Sequence, residues 1–84
     1  MNLPLLQVYS RPGCHLCEQL VEELLPLVRD RATVEVLNID SRADWMEKYG
    51  QRIPVIEFQG HALCQYRLDE KALFAALDAA AFPQ

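Results

Sequence analysis

Cys14 and Cys17 stand three residues apart in Ser10-Arg11-Pro12-Gly13-Cys14-His15-Leu16-Cys17, with a third cysteine far away at position 64. A C-x-x-C pair can exchange electrons with a disulfide, supply half of a zinc site, or pack as two small apolar groups. Its place in the chain weighs on that choice. The apolar run Leu5 to Tyr9 reads as a strand and Ser10 to Gly13 as its closing turn; from Cys14 onward Leu16, Leu20, Val21, Leu24 and Leu25 recur at helical spacing. A helix start presents unpaired backbone N–H groups and the positive end of the macrodipole, both of which favour a thiolate over a thiol. Cys14 gains most from this. Cys17, one turn further in, is predicted to be more buried and on the same helix face, from which it can attack a mixed disulfide held on Cys14. Arg11 adds to the thiolate's stabilisation if its side chain turns toward the sulfur.

The elements that must position this pair follow in order. Pro26 deletes a backbone bond within the first helix and predicts a kink or break near Leu25, with Leu27 and Val28 as an extension. Thr33 to Ile39 alternates and is rich in β-branched residues, which suits a second strand. Ser41 with Asp44 makes a capping-box-like start to a short helix carrying Ala43, Trp45, Met46 and Tyr49, ended by Gly50. Ile53 to Phe58 reads as a third strand opened by a proline, Gln59-Gly60 as a tight turn, and His61 to Tyr66 as a fourth strand. Asp69 then caps a last helix bearing Leu73, Phe74, Leu77 and Ala80. The order β-α-β-α-β-β-α is an α/β class with two parallel strands around the first crossover helix and an added hairpin.

Composition narrows the function classes. With 84 residues, the chain reads as one domain over residues 1–84, and 51% apolar or aromatic residues are too many for a disordered chain. Eight basic residues against 12 acidic ones give a net charge of −4, which removes the electrostatic footing for nucleic-acid binding. No apolar stretch reaches membrane-spanning length and no leader pattern opens the chain, so a soluble cytosolic protein is predicted. Three cysteines are too few for a disulfide scaffold, and at most one pair is expected to cross-link.

Two further features bear on the site. The Ile53-Pro54 bond opens a strand and can be cis, a conformation that costs far less before proline than elsewhere. The predicted topology sets the backbone of Ile53 beside the end of the first strand, where an incoming disulfide-bearing chain can pair with it. His61 and Cys64 form an H-x-x-C that, with the C-x-x-C, offers four zinc ligands. In a regular strand those two side chains point to opposite faces and cannot meet on one ion, so no metal ligands are assigned. Cys64 reads as a small core residue, His15 as a polar helix-start residue and Arg67 as a solvated charge.

The stretch Tyr9 to Cys17, the distance to Tyr49-Gly50-Gln51-Arg52-Ile53-Pro54-Val55 and the element order resemble the glutaredoxin-like members of the thioredoxin-fold superfamily over nearly the whole chain. The resemblance implies a three-layer α/β/α fold on a four-stranded mixed sheet. It implies a thiol-disulfide oxidoreductase in which Cys14 attacks, Cys17 resolves and Pro54 is a cis proline facing them. Arg11, Ile53, Pro54 and Asp69 become the candidate substrate-binding residues. A protein disulfide or a glutathione adduct is the implied substrate, with glutathione or a reductase as electron donor and no tightly bound cofactor or metal. Two departures stand out: His15-Leu16 separates the cysteines where Pro-Tyr is usual, and Cys64-Gln65-Tyr66-Arg67-Leu68-Asp69 lacks the glycine pair that precedes the aspartate in glutaredoxins. A monomer is expected. The alternatives are a non-catalytic module that docks a partner beside Ile53-Pro54 and, more remotely, the zinc site.

Overall fold

The computed structural model describes residues 3–81. Strand β1 (Leu5–Ser10) runs through the middle of a four-stranded sheet; helix α1 (His15–Val28) follows, then β2 (Thr33–Asn38), a single 3-10 turn (Ile39–Ser41), α2 (Ala43–Tyr49), the hairpin β3 (Val55–Phe58) and β4 (His61–Gln65), and α3 (Glu70–Ala81). The spatial order is β2-β1-β3-β4, with β2 parallel to β1 and the others antiparallel to their neighbours. The predicted element order and mixed sheet are those observed.

Alternation along the central strands divides the side chains between two cores. On one face Leu6 and Val8 of β1 and Ile56 and Phe58 of β3 meet Leu20, Leu24 and Val28 of α1 and Leu73 and Leu77 of α3. On the other, Tyr9 and Val55 meet Ile39 and Tyr49, with Trp45 and Ile53 packed alongside. The result is three layers, α1 and α3 over the sheet and α2 beneath it.

Four local expectations are corrected. Helix α1 runs unbroken through Pro26 to Val28. The carbonyl that the proline leaves without a partner belongs to Glu22, and both residues lie on the exposed face, where water can serve it. Ser41 does not cap α2: its hydroxyl donates to the Asn38 carbonyl at 2.6 Å, and Arg42 takes the cap position with no side-chain cap bond. The intervening 3-10 turn consumes Ser41, and Asn38 caps that turn by accepting from the Asp40 N–H at 2.9 Å. Strand β3 begins at Val55 and β4 ends at Gln65, so Pro54 and Tyr66 flank the hairpin outside the ladder. Finally, β4 is bulged, since Ile56 faces Cys64 while Glu57 faces Ala62, leaving Leu63 as the extra residue.

The hairpin turn places Gln59 at φ 53° and Gly60 at φ 81°, the left-handed pair of a type I′ turn. Glycine takes that conformation freely and glutamine does not.

The lower core contains one buried polar contact. Glu57 is 6% exposed on β3, and the Tyr49 hydroxyl donates to its Oε2 at 2.5 Å. The exposed Lys48 ammonium lies 3.9 Å from the same oxygen. Tyr9 stacks on Tyr49 at 4.0 Å between ring centroids, and Trp45 meets Tyr9 edge-on at 5.4 Å. Burial first, and then the Glu57 carboxylate, push the Tyr49 phenol well above the ordinary tyrosine range. A phenol raised on folding contributes stability below its unfolded value and loses it as pH rises through the folded one.

Tyr49→Phe is therefore expected to destabilise the fold by about 1–3 kcal/mol, because it leaves a buried carboxylate without its donor, as read by urea unfolding at pH 7. The same variant should flatten the decline in stability of the parent protein above about pH 10. Gln59→Asn is expected to stabilise by up to about 1 kcal/mol in the same assay, since asparagine visits the left-handed region more readily.

Candidate active site at the start of the first helix

Ser10 ends β1 buried, and Arg11 to Gly13 turn the chain into α1. The Cys14 N–H donates to the Arg11 carbonyl at 3.1 Å, and Gly13 takes φ +81°, which closes the turn in a conformation that disfavours a side chain. Cys14 is the N-cap of α1, with extended φ −82° and ψ 106°. Its Sγ accepts the Cys17 N–H at 3.2 Å, while its carbonyl accepts from the Glu18 N–H at 3.1 Å. The sulfur thus does what a serine or aspartate oxygen does at an N-cap.

Cys14 and Cys17 are joined as a disulfide, with Cα atoms 5.2 Å apart. Cys14 is half-buried and Cys17 only 2% exposed, so a visitor reaches the first sulfur and not the second. That ranking matches the one expected from a helix start and its next turn.

The remaining candidates fall into place around this pair. Arg11 is engaged by Asp40, its Nε donating to Oδ1 at 2.9 Å, and it lines one cavity with Gly13 and Cys17. Parallel pairing sets Ser10 opposite Asn38, which brings the 3-10 turn, and Asp40 with it, alongside Arg11. The Ile53–Pro54 bond is cis, Ile53 packs into the lower core, and Pro54 is buried. Because Tyr9 pairs with Val55, Pro54 comes next in register to Ser10, at the strand end that leads into the cysteines. Asp69 caps α3, its Oδ1 accepting the Ala72 N–H at 3.0 Å, so one carboxylate oxygen is committed to the helix.

A cavity of about 380 Å³ lies along α1, lined by Leu16, Gln19, Leu20 and Glu23 of that helix and by Tyr66, Arg67 and Leu68 after β4. Neither cysteine nor Asp69 is among its walls. Leu16 and Tyr66, 47% and 48% exposed, present apolar surface there. Cys17 instead lines the cavity it shares with Arg11, Pro12 and Gly13. Sequence reasoning passed over Tyr66. Its hydroxyl donates to the Gln51 carbonyl at 2.8 Å, a contact made across fifteen residues that no local pattern announces.

The bulge in β4 also overturns the expectation that His61 and Cys64 face opposite ways. His61 stands opposite Phe58 and Cys64 opposite Ile56, two partners that share one face. Among the described residues no group of three or more His, Cys, Asp or Glu side chains is gathered to hold a metal ion. Cys64 is half-buried against the upper core, and burial pushes its thiol above the ordinary cysteine range.

A sheet with this order, a cysteine pair at the β1–α1 turn and a cis proline beside it define a thioredoxin-like fold of the thiol-oxidoreductase type. Residues 5–78 match the family described as Glutaredoxin-like domain (DUF836), and the chain belongs to that family. Its structure is similar to the X-ray structure of the structural genomics target protein XcR50 from X. campestris: 39% identity, TM-score 0.68, 88% of this chain and 96% of that one. It is 28% identical over 80 residues to the Glutaredoxin-like protein YDR286C homolog of Dictyostelium discoideum, covering 87% of this chain and 74% of that protein. The fold is also that of the germline-specific thioredoxin Deadhead of Drosophila melanogaster, at 20% identity and TM-score 0.53 over 92% of this chain and 80% of that one.

After mild reduction, iodoacetamide at pH 7 should alkylate Cys14 at least about tenfold faster than Cys64, because the thiolate is the reacting form. Labelling of Cys64 should climb as pH passes the ordinary thiol range. Peptide mass spectrometry over a pH series checks both.

Proposed function

We propose that this chain is a thiol-disulfide oxidoreductase acting on protein disulfides or glutathione adducts. The observation that supports this most is the Cys14 sulfur: it caps α1, accepts a backbone N–H, and is open to solvent above a buried Cys17. In the reduced state the same N–H and the helix start favour a thiolate at Cys14. That thiolate attacks one sulfur of the substrate disulfide, forming a mixed disulfide and expelling the other sulfur as a thiolate that takes up a proton. Cys17 then gives up its proton and attacks the Cys14 sulfur. The second substrate thiol leaves, and two electrons have passed to the substrate while Cys14 and Cys17 become the disulfide. A dithiol or two monothiols, from glutathione or from a reductase protein, return the pair to its reduced form.

Within this reading Ile53 and Pro54 form the edge against which the substrate chain lies. Arg11, held by Asp40, and Asp69, held at its cap, border the approach as candidate substrate contacts. No resident cofactor or metal is called for, a monomer suffices, and a reducing cytosolic setting suits such a cycle. No helix among the described residues is long and apolar enough to cross a membrane.

Cys14→Ser is expected to lower disulfide reduction by at least about a thousandfold, because the attacking atom is gone. Cys17→Ser should accumulate a mixed disulfide with the substrate, visible as a mass adduct on Cys14. Full activity of the Cys14 variant would falsify the proposal.

A further inference from the structure

Tyr66 occupies a backbone conformation that its side chain does not favour. Its φ is 67°, in the left-handed region where glycine is the usual occupant and a bulky residue is an outlier. Such a residue persists only where the surroundings hold it. Three hydrogen bonds do so here: the Arg67 N–H donates to the Gln65 carbonyl at 2.7 Å across Tyr66 itself, and Tyr66 makes two more of its own. The Tyr66 N–H donates to the Pro54 carbonyl at 2.8 Å, and the phenol hydroxyl donates to the Gln51 carbonyl at 2.8 Å. One residue therefore grips the segment on both sides of Ile53. Neither backbone group of Ile53 has an intrachain backbone partner among the described residues, so its N–H and carbonyl remain available to another chain.

The ring itself stands half in solvent and shares a cavity with Leu16, the residue that separates Cys17 from His15. Its hydroxyl bond spans the turn between the end of β4 and the segment that leads into Pro54, which no other side chain among the described residues bridges by a hydrogen bond.

We propose that Tyr66 is a positioning residue, a strap that keeps Gln51 to Pro54 in the register from which Ile53 pairs with a polypeptide substrate. This rests on the oxidoreductase reading and adds its substrate class: a disulfide carried on an extended polypeptide, which can use the free Ile53 backbone, in preference to a small disulfide, which cannot. The left-handed backbone turns the aromatic ring back toward the proline loop, and the phenol fastens that loop. Tyr66 touches no reacting atom, so the step of sulfur exchange is left to Cys14 and Cys17.

The test uses pre-reduced protein, freed of reductant, in single-turnover mixing with insulin as the protein disulfide and with bis(2-hydroxyethyl) disulfide as the small one. Formation of the Cys14–Cys17 disulfide is followed by acid quench and mass spectrometry. Tyr66→Phe keeps the ring and removes one hydrogen bond, so the insulin concentration for half-maximal rate should rise about three- to tenfold while the limiting rate stays within about twofold. Oxidation by the small disulfide should be unchanged. Amide hydrogen exchange at Arg52 and at residue 66, whose N–H groups are bonded to the Tyr49 and Pro54 carbonyls, should quicken in the variant, a readout that needs no turnover. An unchanged half-saturation for insulin, unchanged exchange in the loop, or an equal loss with both disulfides would each overturn the strap. If the parent protein oxidises with neither disulfide, the oxidoreductase reading and the substrate class fall together, while the exchange data still decide whether Tyr66 holds the loop.

Discussion

A sulfur at the N-cap of α1 is the constraint around which the molecule is arranged. The cap position asks for an acceptor to take an orphan backbone N–H, and Cys14 supplies one that is polarisable and chemically reactive where serine or aspartate would be inert. That sulfur is held from two sides, by the turn that follows β1 and by the Cys17 N–H of α1. A central strand flanked on both sides cannot shift in register without turning core side chains into water, so the turn leaves the sheet at a fixed point.

The two cores divide the work of positioning. The upper one, where α1 and α3 cover β1 and β3, fixes the axis of the helix that carries both cysteines. The lower one, built on Tyr9, Tyr49 and Ile39, anchors the end of α2, from which the chain turns within a few residues into Ile53 and Pro54. The Arg52 N–H donates to the Tyr49 carbonyl at 2.8 Å, so the approach to the proline is tied directly to that anchor. A buried Glu57 is tolerated because the Tyr49 hydroxyl meets it, and the same contact couples β3 to α2.

Two of the charged candidates near the site already have partners within the chain. Arg11 is bound to Asp40, and one carboxylate oxygen of Asp69 caps α3, so a substrate that meets either residue shares it with the fold. The cavity along α1 presents Leu16 and Tyr66 together with the charged Glu23 and Arg67, and the Ile53 backbone has no backbone partner among the described residues.

Much of this was legible in the chain itself because it depends on neighbours. The strand, turn and helix around Cys14 follow from apolar periodicity and from Pro12-Gly13; the burial of Cys17 follows from its place one turn further in; and Asp69 signals its cap locally. Where local rules erred, distant or solvent contacts had decided the outcome. Pro26 is accommodated because its unpaired carbonyl faces water, Ser41 is drawn into a 3-10 turn, and one extra residue in β4 reverses the alternation that would have separated His61 from Cys64. Arg11 and Tyr66 are the clearest cases. Each finds its partner far along the chain, at Asp40 and at Gln51, and spacing in sequence carries no information about which remote groups a folded sheet brings within hydrogen-bond reach. The sequence alone thus determined which sulfur stands at the start of α1 and which elements present it, through propensities that act over a single turn; only the tertiary structure decided what surrounds that atom, because that depends on how the layers pack.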